Sequence, residues 1–312
     1  MSNNFTRGKL FIIGAGPGDP ELLTVKATRY LAGADVVLTD RLVSNAILKN
    51  CVSKKAEIVF VGKQCSKGIS TPQQTINELI LHYCFLDKTV VRLKGGDVSV
   101  FSNILDELET AVNNHIPYEI IPGITAASGA AAYTGIPLTA RGYATSVRFL
   151  TYYKSGMVSE DYWKELSATN DTLVFYMSSE TLDTLVEKLV ANNIHEDKLM
   201  AIIEQATTPL QRVHVHNLYN YKNKNTGKKY ISPSLVIIGK VVALREQFAW
   251  LTNSNKNECY FNDIQINRVY FKLSPVGEDT NRGGPPWAVS PPPTSSTAMN
   301  AISNRYPYKQ LH

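Results

Sequence analysis

Residues 11–19 read FIIGAGPGD: an apolar run of strand length empties into a glycine-rich turn, and Pro20 to Leu23 then open a helix. A strand that turns at once into a helix is half of a βα unit. Repeated, such units build a largely parallel sheet with helices on both faces. Glycine leaves no Cβ in the turn, so a ligand can press against backbone there. The turn is nevertheless not the dinucleotide fingerprint. That motif needs Gly-x-Gly-x-x-Gly and sets a pyrophosphate on the helix N-terminus. Here Asp19 takes the third glycine's place and Pro17 removes a backbone donor. A carboxylate at the helix mouth repels pyrophosphate, which argues against an NAD-dependent oxidoreductase and for an uncharged or cationic ligand. Asp19 also suits an N-cap, Pro20 a first helical turn, and Gly33 a helix stop.

The alternation continues. Strands are expected at 9–13, 35–39, 57–61, 89–93 and 118–121, with helices near 20–32, 73–86 and 102–114. Ile121-Pro122-Gly123-Ile124 breaks the pattern and divides a first α/β domain (9–122) from a second (123–251). The second set has strands near 147–151, 172–176, 199–203 and 234–241 and helices near 125–133 and 179–192. Lys222 to Lys229 reads as a polar hairpin or loop. Residues 252–312 form a tail holding seven of the chain's 15 prolines. From Asn281 on it lacks any apolar period, a composition that predicts disorder; a short strand is expected within 260–273.

Met1 to Lys9 is polar, without the apolar core of a signal peptide, and no apolar run reaches membrane-spanning length. Four cysteines without CxxC spacing predict free thiols in a reducing cytoplasm. His214 and His216 share one face of a strand, but no third ligand accompanies them, and no metal is expected. The net charge of +5 is scattered rather than massed, so a nucleic-acid face is not indicated; a polyanionic small substrate suits the same charge equally well, and no nucleic-acid or membrane partner is expected.

A second glycine turn repeats the logic of the first: VVRLKGGD, Val90 to Asp97, ends a strand in Gly95-Gly96-Asp97. Asp40 follows the strand before it, and Lys63 follows Val61-Gly62. Ligands of open α/β sheets bind outside the carboxyl ends of strands. Two glycine turns, two acids and a lysine are thus expected on one rim of the sheet.

With these motifs in hand the chain resembles the tetrapyrrole methylase family, in particular its uroporphyrinogen-III C-methyltransferases. The matching stretches are GAGPGDPELLTVK (14–26), ADVVLTDRLVS (34–44), VGK (61–63), VVRLKGGD (90–97), IPGITAA (121–127), GIPLTAR (135–141), TLVFYM (172–177) and EQATTP (204–209). Val236 to Trp250 also resembles the family's end, so the resemblance runs from about residue 9 to 251. The resemblance implies two α/β domains with S-adenosylmethionine in the cleft between them, usually in a homodimer. It implies transfer of two methyl groups to uroporphyrinogen III, giving precorrin-2 for sirohaem or cobalamin. Cofactor contacts carry over to Pro17, Gly95, Gly96, Asp97, Val100, Thr125, Ala126, Met177 and Ala206. Asp40 matches the family's proton acceptor and Lys63 its donor. Arg41, Arg141 and Arg148 are candidates for pairing with the substrate's eight carboxylates. The chain opens directly on the methylase strand, without an added dehydrogenase or ferrochelatase domain, and so reads as monofunctional.

One stretch departs from the family. Its usual continuation, Pro-Phe-x-Phe-Gly-Arg-Gly-Gly-Glu-Glu, is here Val98 to Glu107, and the arginine of the substrate site aligns with Asn103. Lys94 or Lys154 is expected to compensate, and the loss of the two glycines predicts a longer helix. Two alternatives follow: a methylase of a different tetrapyrrole, or a non-catalytic S-adenosylmethionine-binding relative.

Overall fold

The computed structural model of the protein describes residues 8–64, 69–152, 158–225 and 227–261. Its first half comprises β1 (Leu10–Gly14), α1 (Val25–Ala32), β2 (Val36–Thr39), α2 (Asn45–Cys51), β3 (Glu57–Phe60), the short pair β4 (Lys63–Gln64) and β5 (Ile69–Ser70), α3 (Gln73–Phe85), β6 (Val90–Lys94), α4 (Leu105–Asn113) and β7 (Tyr118–Ile121). Five of these strands form a sheet in the order β3-β2-β6-β1-β7, with every pairing parallel. Every residue of β1, β2 and β6 is buried, which is why β1 and β2 read as apolar runs; β6 buries Arg92 and Lys94 among its apolar residues. One face packs Ile12, Leu38 and Val90 under Ile76 and Ile80 of α3; the other packs Ile13, Val37 and Val91 under Leu31 and Ile47.

The helix predicted over 20–32 is split. Asp19 caps a single 3-10 turn at Pro20–Leu22, and α1 starts only after Thr24, whose hydroxyl accepts from Ala27 N at 3.2 Å. The helix predicted over 102–114 starts at Leu105, without the lengthening expected from the lost glycines. Phe101 (φ 51°) and Asn103 (φ 50°) are left-handed and interrupt any helix there. Asparagine tolerates that conformation better than most residues.

The second half comprises α5 (Ala126–Thr134), β8 (Val147–Thr151), α6 (Glu160–Ala168), β9 (Thr172–Tyr176), α7 (Leu182–Ala191), β10 (Leu199–Glu204), β11 (Arg212–Asn217), α8 (Leu218–Asn225), β12 (Ser234–Gly239) and α9 (Arg245–Phe248). Its sheet runs β11-β10-β12-β9-β8; only β8 and β9 pair in parallel. The stretch expected to be a hairpin or loop begins inside α8, because Leu218 and Tyr221, one turn apart, both bury into the core. The two halves cluster as one compact unit. Residues 252–261 lie against this body, whereas 262–312 fall outside the described residues. No described helix is long and apolar enough to cross a membrane.

Candidate active site

Three loops leave the carboxyl ends of β1, β6 and β7 and interlock through their backbones. Gly16 N donates to Gly96 O at 3.1 Å and Gly96 N returns a bond to Gly16 O at 2.8 Å. A Cβ on Gly14 would lie 2.6 Å from Gly123 N, and one on Gly123 would lie 2.4 Å from Gly96 O. Only glycine permits such approach. The Asp97 carboxylate ties the loops together: one oxygen accepts from Gly123 N at 2.9 Å, the other from Ser99 N at 2.8 Å and from the Ser99 hydroxyl. A Cβ on Gly96 (φ 70°) would make only an ordinary contact, with Ala126 N at 3.8 Å, so this side of the loop is not tightly packed. Val100 N closes this loop on Asp97 O at 3.3 Å.

The second half meets these loops through Tyr176 and through the turn after β10. The Tyr176 hydroxyl accepts from Ala127 N at 3.1 Å and shares a 2.7 Å bond with the Thr125 hydroxyl. Burial pushes this phenol above its ordinary value. Its ring lies 5.0 Å from that of Phe101, and Met177, half exposed and left-handed at φ 55°, follows directly. Thr125, Ala126, Met177 and the Gly95–Val100 loop are thereby brought together. Ala206 sits in a strained turn between Gln205 (φ 51°) and Thr207 (φ 65°). The Thr207 hydroxyl accepts from Asp19 N at 3.2 Å, and Pro17 packs so closely on α5 that a Cβ on Gly129 would fall 2.5 Å from its Cγ. Asp19 is a structural clasp rather than a free carboxylate: it accepts from Glu21 N at 2.9 Å and from the Tyr133 hydroxyl at 2.7 Å.

Asp40, just past β2, is held by a partner the motifs did not reveal. Arg92 Nη2 donates to Asp40 Oδ1 at 2.6 Å, and Arg92 Nε donates to Glu107 Oε1 at 2.9 Å. Lys94 Nζ bonds both Glu107 oxygens, at 3.1 and 2.9 Å. Two cations and two anions thus balance beneath the rim, with Arg92, Lys94 and Glu107 all buried. Burial alone would drive the Arg92 guanidinium down, but Asp40 and Glu107 hold it above its ordinary value. Burial and the neighbouring Arg92 charge push Lys94 below its own. Arginine inside an otherwise apolar strand run was the available sequence signal, since buried charges are rarely found unpaired.

The remaining candidates divide. Lys63 opens β4, but its side chain lies outside the described residues, as does all of Lys154. Lys94 is committed to Glu107 inside the core, which corrects its expected place among substrate contacts. Arg41 reaches across to the Ser232 hydroxyl at 3.4 Å, and its buried Nε lacks a partner among the described residues. Arg141 is exposed in a turn closed by the Ala140–Ala144 bridge. Arg148 is already matched by Asp171 and Glu165, each at 2.5 Å, and so is not a free cation for substrate. Asn103 is exposed and donates to Asp106 at 3.4 Å, at the start of α4. His214 bonds Glu204 at 2.9 Å, and no metal-binding group of His, Cys, Asp and Glu occurs among the described residues.

The chain is similar to known proteins over most of its length. The sequence model of the Tetrapyrrole (Corrin/Porphyrin) Methylases matches residues 9–221. A siroheme synthase of Acinetobacter baylyi is 46% identical over 245 residues, 78% of this chain and 53% of that protein. The chain spans about half the length of the curated relatives it matches. The uroporphyrin-III C-methyltransferase of Thermus thermophilus superposes with a TM-score of 0.64 at 31% identity, covering 79% of this chain and 98% of that one. Its complex with S-adenyl homocysteine gives a TM-score of 0.61 at 32% identity, covering 75% and 93%.

Proposed function

The chain belongs to the tetrapyrrole methylase family, and from that premise we propose that it is an S-adenosylmethionine-dependent C-methyltransferase. Its substrate is uroporphyrinogen III, and it adds two methyl groups to give precorrin-2. The observation that carries the reading is the meeting of a glycine cradle that lacks the pyrophosphate fingerprint with a carboxylate fixed at the same strand ends. S-adenosylmethionine carries a sulfonium, an ammonium and a carboxylate but no phosphate. The cradle suits it: Gly96 leaves room toward Ala126, Met177 and Phe101 offer exposed apolar surface, and Thr125 offers a hydroxyl. Pro17, Gly95, Asp97, Val100 and Ala206 complete the contacts, largely through backbone. When bound, the cofactor supplies an electrophilic methyl group on sulfur.

The protein's own share is positioning and proton transfer. A pyrrole carbon that gains a methyl group becomes cationic and must lose a proton, which Asp40 accepts. Arg92 occupies Asp40 Oδ1, and Oδ2 carries no hydrogen bond among the described residues, so Oδ2 is the oxygen that takes the proton. Lys63 acts as the proton donor. Arg41 and Arg141 pair with substrate carboxylates; a carboxylate would satisfy the buried Arg41 Nε. The working form is a cytoplasmic homodimer.

Asn103 supports a second reading, a methylase of another tetrapyrrole, because asparagine cannot neutralise a carboxylate. An anaerobic assay with S-adenosylmethionine and freshly generated uroporphyrinogen III tests both. A gain of two methyl groups by mass is expected. No gain, with S-adenosylmethionine still bound, would favour the second reading.

A further inference from the structure

Residues 253–261 lie beyond the stretch that resembles the family, yet they are joined to the turn that carries Ala206. Asn253 pairs with Val213 on the open edge of β11, accepting from its N–H at 2.9 Å and donating to its carbonyl at 3.0 Å. Ser254 N donates to Gln211 O at 3.0 Å. The fully buried Gln205 amide then grips the segment at two points: Nε2 donates to Glu258 O at 2.9 Å, and Oε1 accepts from Tyr260 N at 2.6 Å. Phe261 is 2% exposed. A Cβ on Gly18 would lie 3.3 Å from its ring and 2.9 Å from Thr208 Cγ2. Phe261 is therefore wedged where the Pro17–Asp19 loop of the first half meets the Gln205–Thr208 turn of the second.

That turn cannot stand on its own chemistry. Gln205 and Thr207 are both left-handed without being glycine, a conformation that persists only where surrounding groups over-determine it. Without residues 258–260, both ends of the buried Gln205 amide would also lose their partners. We propose that residues 253–261 act as a clasp for the cofactor site, with Gln205 and Phe261 as positioning residues. They hold the Ala206 turn and the Pro17 loop in the one arrangement that receives S-adenosylmethionine. The inference rests on the proposed function for the identity of the ligand.

Binding linkage is reciprocal, so ligand must tighten the clasp as much as the clasp tightens ligand. The test uses the full chain and S-adenosylhomocysteine. Phe261→Ala should weaken binding by about tenfold in calorimetry. The KM for S-adenosylmethionine should rise with kcat retained, and the ligand-free protein should stay folded. In the unaltered protein, S-adenosylhomocysteine should slow hydrogen exchange at the Tyr260 amide. Equal affinity in Phe261→Ala, or no slowing at Tyr260 on saturation, would overturn the clasp while leaving the methylase reading intact. If Phe261→Ala does not fold, the exchange measurement decides. If the unaltered protein does not bind S-adenosylhomocysteine, the methylase reading falls and the clasp falls with it.

Discussion

The two sheets have five strands each, yet they furnish the site in different ways. In the first, every strand runs parallel, so the carboxyl ends of β1, β2, β6 and β7 emerge on one side and their loops meet without special effort. The backbone of the Gly14–Gly18 and Gly95–Val100 loops is relaxed or glycine, and the left-handed Phe101 and Asn103 come only after them. In the second, antiparallel pairing sends alternate strand ends away from the site. Its contributions come from two turns, after β9 and after β10, in which Met177, Gln205 and Thr207 adopt left-handed conformations. Parallel topology gathers its cradle on glycine turns and relaxed backbone, whereas the mixed sheet offers the ligand non-glycine residues held in left-handed conformations.

The sharpest way to break this contrast is at the charge network under the first sheet's rim. Glu107→Gln leaves two buried cations facing Asp40 alone and should destabilise the protein by about 3–5 kcal/mol in denaturant unfolding. Asp40→Asn leaves packing intact. It should cut turnover by about 10²-fold while S-adenosylhomocysteine affinity stays level. Near-normal turnover would remove Asp40 from the chemistry.

A paired substitution addresses strain itself. Gly96→Ala places a Cβ at φ 70° and should cost about 1–2 kcal/mol of stability. Met177→Gly relieves a side chain at φ 55° that is 54% exposed and should leave stability level or raise it by about 0.5 kcal/mol. Its S-adenosylhomocysteine affinity should nonetheless fall. Equal losses of stability from both changes would mean that Met177 holds no strain to relieve.

The smallest effect lies in the second half's histidines. Burial, then the charges of His214 and Lys228, hold His216 below its ordinary value of 6.5. Below that pH the unfolded chain takes up a proton that the folded one resists. Stability should therefore fall as pH drops from about 6.5 toward 5. His216→Gln should flatten that slope in thermal scans across pH.

The sequence exposed some of this and concealed the rest, for physical reasons. Continuous apolar runs such as VVLT and LFIIG announced the buried parallel strands, and the glycine turns announced where their ends meet. The helix α6 escaped because only Trp163 and Leu166 mark its apolar face among charged neighbours. The pairing of Asp40 with Arg92 spans 52 residues. It exists only because β2 and β6 lie side by side in one register, which no local pattern encodes. The same holds for Gln205 and Tyr260, 55 residues apart. Left-handed Phe101 and Asn103 defeated the helix expected there, because φ is decided by the loop's closure on Asp97 and not by propensity.

β1 lies in the interior of its sheet, flanked by residues 90–94 on one side and 118–121 on the other. A nascent chain therefore displays LFIIG long before either neighbour has been made. At roughly 5–20 residues per second the delay is on the order of 5–20 s, with an uncharged, strand-forming segment exposed meanwhile. The strand that organises the finished rim is also the one whose partners arrive last. Production of the protein should accordingly be sensitive to how well a chaperone shields residues 10–14.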